Sequence, residues 1–442
     1  MPLPIVTIVG RPNVGKSTLF NRIIRRRVAV VDPIPGVTRD RHYAETEWGG
    51  IRFTLVDTGG YLPESEGGEL TKAVSEQTLI AAQEADLVLF IADVQTGTSE
   101  IDIDLAHIIL KQNVPVVFIA NKVDDPQRVA LAWDLQSIGM GDPIAISALT
   151  GFQIGDLLDE ICSRLNDLKP ILPDAPSAEE LSLAIIGAPN SGKSSLVNRL
   201  AGTERMVVSD IPGTTRDAVD TIIQYHGKRI RLIDTAGLKR KRFGQQGLEF
   251  YCTLRALRAL ERCDVAIVMI DGIEGLTQGD IKLVNQAAGN GVGVILVVNK
   301  WDAVEKDPKN ADRWLLEWKR KAPSLNWVPV LFISALTGHR SIKVIEEALV
   351  VKTERERRIK TSELNDKIGY LLARTPPPAT KGKYFKIRYG TQVKSAPPRF
   401  AFFTRHAGLI REPYKRFVEK IIREKYGFRG VPVSVVFREK KD

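Results

Sequence analysis

A chain of 442 residues is too long for one hydrophobic core, and its 43% hydrophobic and 26% charged residues are ordinary for a globular protein. No apolar run reaches the roughly 18 residues of a membrane span, the amino terminus lacks a signal peptide's basic region, and three cysteines are too few for a disulfide framework. The net charge of +10 is uneven, since residues 351–442 carry 24 Lys and Arg against 9 Asp and Glu, whereas residues 1–350 carry 39 against 44. We therefore expect a cytoplasmic protein with no membrane partner, whose carboxyl-terminal part contacts a polyanion.

Four apolar runs in the first part of the chain predict buried strands. They are IVTIVG from residue 5, FTLVDT from 53, LVLFIAD from 87 and VPVVFIANK from 114. Each is apolar on both faces, as a parallel sheet covered by helices requires. Helical stretches separate the runs, the first beginning at Lys16. Strands that alternate with helices predict a doubly wound α/β fold, with ligands bound at the carboxyl ends of the strands.

The same series of elements returns later in the chain. Its strands are LAIIGA from residue 183, IRLIDT from 230, VAIVMID from 265 and VGVILVVNK from 292, and its first helix begins at Lys193. Between the two series, residues 168–180 are rich in proline and predict a linker. We expect tandem domains at 1–167 and 181–352, followed by a third domain at 353–442.

Five short motifs occur in the same order in both repeats. They are G-x-x-x-x-G-K-[ST] (10–17 and 187–194), P-G-x-T-R-D (35–40 and 212–217), D-x-x-G (57–60 and 234–237), N-K-x-D (121–124 and 299–302) and S-A-L (147–149 and 334–336). The offset between the copies grows from 177 to 187 residues, as loop insertions in a duplicated domain produce. One such motif is weakly specific, but five in order, twice, predict two P-loop GTPase domains. A pair of degenerate folds that bind nothing is the alternative, and no key position is lost in either copy.

The motifs predict how a phosphate chain and its metal are held. Glycines let backbone N–H groups close around a phosphate where a Cβ would intrude. Lys16 and Lys193 would neutralise the β- and γ-phosphates, and the hydroxyl after each lysine would bind Mg²⁺. The predicted Mg²⁺ ligands are Ser17, Thr38, Asp57, Ser194, Thr215 and Asp234.

The N-K-x-D motif predicts that the base is guanine, so that the ligands are GTP and GDP. The carboxylates of Asp124 and Asp302 can each accept hydrogen bonds from guanine N1–H and the exocyclic amine, a donor pair that adenine lacks. In the first repeat the predicted nucleotide-binding residues are Gly10, Arg11, Pro12, Asn13, Val14, Gly15, Lys16, Ser17, Thr18, Asp57, Thr58, Gly59, Gly60, Tyr61, Asn121, Lys122, Val123, Asp124, Ser147 and Ala148. In the second they are Gly187, Ala188, Pro189, Asn190, Ser191, Gly192, Lys193, Ser194, Ser195, Asp234, Thr235, Ala236, Gly237, Leu238, Asn299, Lys300, Trp301, Asp302, Ser334 and Ala335.

The catalytic group departs from the Ras pattern, in which a glutamine after the D-x-x-G glycine orients the attacking water. Tyr61 and Leu238 hold that position here, whereas both phosphate loops carry an asparagine, Asn13 or Asn190, after a proline. This combination resembles the translation-factor-like GTPases that include Era, TrmE and EngA, which implies that the asparagine helps to bind a potassium ion. The alternative is that these asparagines only shape the loop. The predicted catalytic residues are Asn13, Lys16, Thr38, Gly60, Asn190, Lys193, Thr215 and Gly237.

The last part of the chain has a different pattern. A helix near 353–373, strands at 384–389 and 399–404, a helix at 412–426 and a strand at 431–437 predict an α-β-β-α-β domain with helices on one face of a small sheet. Aromatic and basic residues interleave in both early strands, but at strand period many of these aromatics must belong to the core, so the sequence assigns none of them to a base. We expect no G-x-x-G clamp, the loop with which KH domains grip single-stranded RNA.

With two such domains before a basic one, the chain resembles the EngA (Der) family of bacterial ribosome-assembly GTPases over essentially its full length. The resemblance implies a KH-like last domain, binding to the large ribosomal subunit and its rRNA, and a monomer whose nucleotide state controls its domain arrangement. An alternative is a tRNA-modification GTPase like TrmE, but that family has one GTPase domain and a terminal cysteine motif, whereas this chain has two such domains and ends in Phe437-Arg-Glu-Lys-Lys-Asp442. A septin-like GTPase on a membrane surface would use an amphipathic basic helix, which the sequence lacks.

Two short basic runs leave alternatives open. Residues 239–242, Lys-Arg-Lys-Arg, directly follow the second D-x-x-G motif and its next residue, so they could contact RNA or sense the neighbouring domain; a solvated loop is the other interpretation. Residues 25–27, three arginines after the first phosphate-loop helix, favour solvated surface.

Overall fold

The computed structural model describes residues 3–25, 43–61, 68–167, 180–202, 207–212, 219–233, 245–304, 307, 309–379 and 384–439. These residues form two compact units. One contains the described residues up to 167 together with 245–261, and the other contains those from 180 to 233 and from 262 onward.

The first repeat forms a six-stranded sheet in the order β2-β3-β1-β4-β5-β6, in which only β2 runs antiparallel to its neighbour. All four apolar runs predicted as strands are confirmed, as β1, β3, β4 and β5. The strands are β1 Ile5–Val9, β2 Tyr43–Trp48, β3 Ile51–Asp57, β4 Leu87–Asp93, β5 Val116–Asn121 and β6 Ile144–Ala145. The helices are α1 Lys16–Arg25, α2 Gly68–Glu84, α3 Glu100–Leu110 and α4 Ile154–Asp167, with a 3₁₀ helix at Pro126–Ile138.

The second repeat forms a seven-stranded sheet in the order β13-β12-β11-β7-β10-β9-β8, in which the β8–β9 and β9–β10 pairs are antiparallel. Its predicted strands are confirmed as β7, β10, β11 and β12. The strands are β7 Leu181–Gly187, β8 Val207–Pro212, β9 Val219–Tyr225, β10 Lys228–Ile233, β11 Val265–Asp271, β12 Gly293–Asn299 and β13 Val330–Phe332. The helices are α5 Lys193–Ala201, α6 Gln245–Arg262, α7 Gln278–Gly289, α8 Asn310–Lys321 and α9 Ser341–Glu356.

Residues 245–261 of α6 belong to the first compact unit. There Leu254 and Leu257 are buried in the same hydrophobic cluster as residues of α2 and α3. A salt bridge of 2.9 Å joins Arg255 to the buried carboxylate of Glu84 at the end of α2. The unit therefore gains both apolar burial and ion pairing from this helix.

The carboxyl-terminal part confirms the α-β-β-α-β order, with helices on one face of a three-stranded sheet. Strand β14 is antiparallel to β15, and β15 is parallel to β16. Its elements are α10 Thr361–Leu364, a π-helical turn at Asn365–Gly369, α11 Tyr370–Arg374, β14 Tyr389–Lys394, β15 Arg399–Phe403, α12 Glu412–Tyr426 and β16 Ser434–Arg438.

The first strand of this domain is misplaced by the sequence pattern. Residues 384–388 form no regular strand, and β14 begins only at Tyr389. The position is set by pairing, since Tyr389 lies opposite Phe403 and the two strands meet at the turn between Lys394 and Arg399. A Cβ on Gly390 would overlap the ring of Phe402, so this glycine fits beneath an aromatic ring instead of breaking the strand.

The second repeat and the carboxyl-terminal domain share one hydrophobic core. Buried residues of β7 and β12 lie in a single cluster with Phe400 and Phe428. Across this core the Val294 amide donates to the Gly430 carbonyl at 2.7 Å, and Arg423 lies over the Trp327 ring at 4.6 Å. The two regions therefore form one packed body.

The domain does carry a G-x-x-G sequence, at residues 427–430, so the expectation of no clamp depends on how this segment is held. The structure uses this segment for packing. Phe428 is fully buried, Arg429 pairs with Glu347 of α9 at 2.6 Å, and a Cβ on Gly430 would meet Val351. A loop held in this way cannot clamp an RNA backbone as the loop of a KH domain does.

Candidate nucleotide-binding sites

The predicted site residues that the structure describes gather at one edge of each sheet. In the first repeat they follow β1, β3, β5 and β6, and in the second they follow β7, β12 and β13. Those strands are parallel within each sheet, so their carboxyl ends lie together. Seven predicted residues lie outside the described part of the chain: Thr38, Thr215, Asp234, Thr235, Ala236, Gly237 and Leu238.

The first glycine of each phosphate loop lies against the neighbouring strand. A Cβ on Gly10 would overlap the carbonyl oxygen of Ile91 in β4, and one on Gly187 would overlap that of Met269 in β11. A side chain would push the loop off the sheet edge. The chain therefore turns from strand into helix close to the sheet, which aims the amino terminus of α1 or α5 across the loop.

The second glycine of each loop makes room for the asparagine of N-K-x-D. Gly15 has a φ of 100°, and a Cβ there would overlap the Asn121 side-chain amide. That amide donates to the Val14 carbonyl at 2.8 Å, and its oxygen accepts from the Ala148 amide at 2.9 Å. Asn299 joins Ser191 and Ala335 in the same way in the second repeat. One buried asparagine thus ties three motifs together in each copy.

The phosphate-loop lysines fold back over their own loops. Lys16 Nζ donates to the carbonyls of Gly10 and Arg11, both at 2.8 Å, and Lys193 Nζ donates to the Gly187 carbonyl at 3.0 Å. Burial, opposed by the Asp57 carboxylate and reinforced by Arg11, lowers the pKa of the Lys16 ammonium from 10.5 to about 8. Its charge is therefore poorly solvated in the absence of a bound anion.

Asp57 and its neighbours complete the phosphate side of the first site. Asp57 is buried at the end of β3 and accepts from the Gly59 amide at 2.8 Å, while the Thr58 hydroxyl donates to the Ile8 carbonyl. A Cβ on Gly59 would lie 3.1 Å from Asp57 Oδ1 and 3.3 Å from both Lys16 Cε and Ser17 Oγ. A carboxylate, an ammonium stem and a hydroxyl therefore converge at this glycine. Gly60 and Tyr61 continue in a 3₁₀ helix, Thr58–Tyr61.

The remaining predicted residues of the two phosphate loops differ in exposure. Val14 and Ser191 are fully buried under the loops, whereas Asn13, Thr18, Asn190 and Ser195 are exposed. Asn13 and Asn190 both adopt the left-handed conformation, with φ of 65° and 62°. Asparagine enters this region more readily than most residues, so loop shape alone gives each a structural role. The other loop members are Arg11, Pro12, Ala188, Pro189 and Ser194.

The lysine of N-K-x-D is held by an aspartate that the sequence analysis missed. Lys122 Nζ lies 2.6 Å from Asp93 Oδ2, and Lys300 Nζ lies 2.5 Å from Asp271 Oδ2. Burial alone would raise the pKa of Asp271, but the Lys300 ammonium and the Ile273 amide outweigh it and hold the pKa below its usual range. The available signal was positional, because each aspartate ends the strand next to N-K-x-D.

The base side differs between the two copies. In the first, Val123 is buried and the exposed Asp124 accepts from the Ser147 hydroxyl at 2.6 Å. In the second, Trp301 and Asp302 line a cavity of about 340 Å³. The other residues lining this cavity are Val304, Asp307, Ser334, Thr337 and His339.

Two arginines that the sequence analysis did not identify hold the S-A-L loops through hydrogen bonds. Arg22 in α1 donates from Nε to the Ala148 carbonyl at 2.9 Å, and Arg199 in α5 donates to the Ala335 carbonyl at 3.4 Å. Each also donates to the carbonyl of the next leucine. The arginines are 177 residues apart, the offset of the phosphate loops, which is the signal that could have identified them.

Comparison with known proteins agrees with this duplicated geometry. The family model described as "50S ribosome-binding GTPase" matches twice, at residues 5–122 and 182–300. The model described as the KH-domain-like region of EngA bacterial GTPase enzymes, C-terminal, matches residues 358–438. The chain belongs to the GTPase Der (EngA) family. Its fold is that of the family, with two P-loop GTPase domains followed by a small KH-like domain.

Curated Der proteins match along their whole length. The chain is 45% identical to the GTPase Der of Chloroherpeton thalassium over 440 residues, covering 99% of this chain and 100% of that protein. It is 45% identical to the GTPase Der of Moorella thermoacetica over 442 residues, covering 100% of both. A solved structure of Era from Aquifex aeolicus is 23% identical and covers 59% of this chain and 93% of its own, with a TM-score of 0.30. As a Der family member, this chain is a GTP-binding protein of a GTPase family.

None of the described helices has the length and apolar character to cross a membrane. Within the same residues, no three His, Cys, Asp or Glu side chains are grouped as ligands for a metal ion.

Proposed function

We propose that this Der family member is a GTP-hydrolysing switch that acts in assembly of the large ribosomal subunit and docks on rRNA through its basic carboxyl-terminal domain. The observation that carries the proposal is a combination of two features in one chain. Two sets of guanine-nucleotide motifs are each joined by a buried asparagine, and the terminal region has a net charge of +15. Nucleotide sites allow a protein to switch between a GTP-bound and a GDP-bound state, and clustered positive charge allows it to bind a polyanion such as RNA. We further propose a cytoplasmic monomer without a membrane partner.

In each site the residues divide into a phosphate side and a base side. On the phosphate side, loop amides and Lys16 or Lys193 would surround the β- and γ-phosphates. On the base side, Asp124 or Asp302 would accept from the guanine edge, as the surface exposure of Asp124 and the cavity beside Asp302 allow. Because Lys16 is already desolvated, an anionic phosphate would stabilise its charge. The D-x-x-G glycines would sense the γ-phosphate.

The first site fits a magnesium ion. Mg²⁺ prefers oxygen ligands and is held in nucleotide sites by one or two protein groups together with phosphate and water. Ser17 Oγ and the Asp57 carboxylate both lie beside the Gly59 backbone, on the same side as the Lys16 stem. Ser17 would bind the ion directly and Asp57 through water, with Ser194 in the corresponding role in the second repeat. When bound, the ion neutralises charge that develops on the phosphate oxygens.

Potassium is the proposed substitute for the missing catalytic glutamine. Tyr61 cannot orient water as an amide does, and Asn13 and Asn190 present exposed side chains from the phosphate loops. Their amide oxygens suit a hard cation. Such an ion would supply positive charge in the transition state, the role that an arginine finger has in other GTPases.

The domain assignment that we propose is 1–167 and 181–352 for the GTPase domains, 168–180 for the linker and 353–442 for the KH-like domain. Because the second GTPase domain shares its core with the KH-like domain, deletion of residues 353–442 would expose buried side chains of both. Truncation would therefore confuse loss of an rRNA anchor with loss of stability. Neutralising exposed charge avoids this problem.

The deciding experiment is cosedimentation of the full chain with large ribosomal subunits in GDP, GTP and a nonhydrolysable GTP analogue. One variant replaces four exposed basic residues of the KH-like domain by Gln, and a matched control replaces four elsewhere. The test set is Lys386, Arg388, Arg405 and Arg416, and the control set is Lys111, Arg128, Lys319 and Arg320, all exposed.

The test variant should bind subunits more weakly, and its slope of log affinity against log salt should be shallower by about 3, since each phosphate contact contributes roughly 0.7 to 0.9. The control variant should match the wild type. Equal losses in the two variants, or no binding by the wild type in any nucleotide state, would reject the proposed docking.

A further inference from the structure

We propose that the face of the carboxyl-terminal sheet turned away from its helices is a stacking platform for single-stranded RNA. This inference rests on the proposed function and names the form of RNA recognised and the residues that bind it. The face, called the outer sheet face below, follows from strand register, because paired residues share a side of the sheet. Its members are Tyr389, Thr391, Lys394, Arg399, Ala401, Phe403, Ser434, Val436 and Arg438. Among them Ala401 is buried between its neighbours, and the Thr391 hydroxyl lies 3.0 Å from that of Thr361 of α10.

The other side of the sheet holds the core. Phe400, Phe402 and Val435 are almost completely buried, and the Phe437 ring lies 5.9 Å from the Tyr414 ring of α12. Register thus divides the five aromatic residues of these strands into three on the core side, Phe400, Phe402 and Phe437, and two on the outer sheet face, Tyr389 and Phe403. The sequence alone could not make this division, because it placed the first strand five residues too early.

Tyr389 and Phe403 form one stacked aromatic pair on the outer sheet face. They lie directly opposite each other, with ring centroids 4.5 Å apart and an interplanar angle of 13°. Tyr389 is 38% exposed, and Phe403 is partly exposed. Two nearly parallel rings at a solvent boundary offer a surface on which an unpaired base can continue the stack. Bases inside a duplex are already stacked on each other, so this contact selects single strands.

Positive charge lies on the same face as the aromatic pair, at both ends of the strands, and none of the described residues on this face is a carboxylate. Arg438 lies beside Phe403 on β16. A β-bulge after Gln392 shifts the register so that Lys394 lies opposite Arg399, which places both charges on the outer sheet face. Lys394 and Arg438 are exposed, and within the described part of the chain neither enters an ion pair. An RNA backbone supplies the complementary negative charge at the spacing of successive bases.

The alternative surface for a single strand in a KH-like domain is the G-x-x-G loop. Here that loop is occupied, since Phe428 is buried and the Arg429 guanidinium is paired with Glu347. Single-stranded RNA would therefore have to find its aromatic and basic contacts elsewhere in the domain. The outer sheet face supplies both kinds of contact within three adjacent strands.

The test measures binding of the full chain to a fluorescent mixed-sequence RNA of about 12 nucleotides, a length within the usual site sizes, as a single strand and as a duplex. Tyr389→Leu keeps an apolar side chain but removes the stacking ring. The matched control is Tyr370→Leu, because Tyr370 is also an exposed tyrosine but lies on α11, in the helical layer. Melting temperature and GDP affinity serve as checks that both variants fold.

The wild type should bind the single strand more tightly than the duplex. Tyr389→Leu should weaken single-strand binding about tenfold and leave its salt slope unchanged, whereas Arg438→Ala should make the slope shallower by about 0.7. Tyr370→Leu should behave as the wild type. Unchanged binding in Tyr389→Leu, or an equal loss in Tyr370→Leu, would overturn the platform.

The platform and the proposed function can fail separately. A wild type that sediments with large subunits but does not bind the single strand would overturn the platform and leave subunit docking intact. A wild type that binds the single strand through Tyr389 but never sediments with subunits would support the platform and reject the ribosomal role.

Discussion

Arg11, in the first phosphate loop, donates from Nε to the buried carboxylate of Asp102 at 3.1 Å. Asp102 is also the third residue of α3 and completes its capping box, in which it accepts from the amide of the N-cap residue Ser99 at 3.2 Å. In the second repeat Asp280 caps α7 in the same way through Thr277, but the loop residue is Ala188. At this loop position an ion pair with the capping-box aspartate is therefore possible in the first repeat and impossible in the second.

This difference predicts a repeat-specific effect of Arg11→Ala. Charge-assisted hydrogen bonds contribute about 1.5–3 kcal/mol, so loss of this one should loosen the first phosphate loop and speed GDP release from that site by about tenfold or more. Release should be followed with a fluorescent GDP in a Lys193→Ala background, which isolates the first site. The same substitution in a Lys16→Ala background, which isolates the second site, should change nothing. Equal rates with and without Arg11 in the first background would contradict the prediction.

Replacing Asn121 should reduce both the stability of the first unit and nucleotide binding at the first site. Its buried amide satisfies the Val14 carbonyl and the Ala148 amide, so Asn121→Ala leaves two buried backbone groups unpaired, at about 1–3 kcal/mol each. Urea unfolding should show the first unit destabilised, and nucleotide titration should show one site lost. Asp124→Asn is the comparison, because the exposed Asp124 should govern base choice without this structural cost. If Asn121→Ala kept both sites at normal affinity, the bridging role would be wrong.

The sequence predicted the buried parts of both GTPase domains because continuous apolar runs mark central parallel strands. Strands such as β2, Tyr43–Trp48, were missed because that segment lies at the sheet edge, is only partly buried and contains two glutamates. Strand β14 was misplaced because the aromatic run before it resembles a strand, whereas the pairing with β15 selects a more polar segment. Long-range pairing decided the position, and local propensity did not.

The candidate sites were predicted as lists of motifs, but not as connected structures. N-K-x-D was interpreted only as a base-binding motif, and the structure adds that its buried asparagine joins the loops. The partners Asp93 and Arg22 lie outside every motif, so only the strand end that carries Asp93 and the repeat offset of Arg22 could have indicated them. Side-chain bridges between loops depend on tertiary distances that a motif does not encode.

Potassium dependence can be separated from loop shape with glycine. Asn13 and Asn190 are left-handed, and glycine adopts that conformation without strain, so Asn13→Gly with Asn190→Gly preserves the loop and removes the amides. If the amides help to bind potassium, wild-type turnover should fall when sodium replaces potassium at equal ionic strength, and the variant should be slow in both salts. GDP affinity should stay near normal. A variant that retains potassium stimulation would show that the asparagines act only on loop shape.

Lys16 predicts proton uptake when nucleotide binds. Its pKa is about 8 in the free protein, and phosphate should raise it. At pH 8.5 a bound chain should therefore hold more protons at the first site, and GDP affinity there should fall as the pH rises above 8. Calorimetry at pH 8.5 in two buffers of different ionisation enthalpy measures the protons taken up. Lys16→Arg, which stays charged, should abolish the proton uptake. If the wild-type protein took up no protons on binding GDP, the prediction would be refuted.

The contribution of Lys16 to the stability of the nucleotide-free protein should be more favourable at alkaline pH than at neutral pH. The folded state binds fewer protons than the unfolded state between pH 8 and 10.5, because the pKa of Lys16 is lowered on folding. Its contribution to stability therefore increases as the pH rises through that window. Saturating GDP should suppress this increase, which a comparison of urea transitions with and without GDP would detect.

Glu261, near the end of α6, predicts the opposite trend. Burial, with Asp86 and Glu45 adding to it and the Leu3 amide and Arg258 opposing it, raises the pKa of Glu261 to about 8. The folded state then binds more protons than the unfolded state between about pH 4.5 and 8, so this group's contribution to stability is lost as the pH rises through that window. Glu261→Gln removes the buried charge and should raise the melting temperature above pH 8, with little change at pH 5.

A matched carboxylate in the same compact unit gives the control. Glu84 is almost completely buried and forms a 2.9 Å salt bridge with Arg255. Glu84→Gln should therefore destabilise the protein at pH 8 by about 2 kcal/mol. The two substitutions make the same chemical change and should shift the melting temperature in opposite directions, because one carboxylate lies among like charges and the other has a cationic partner. If Glu261→Gln also lowered the melting temperature at pH 9, Glu261 would be a stabilising anion, and the burial argument would be wrong.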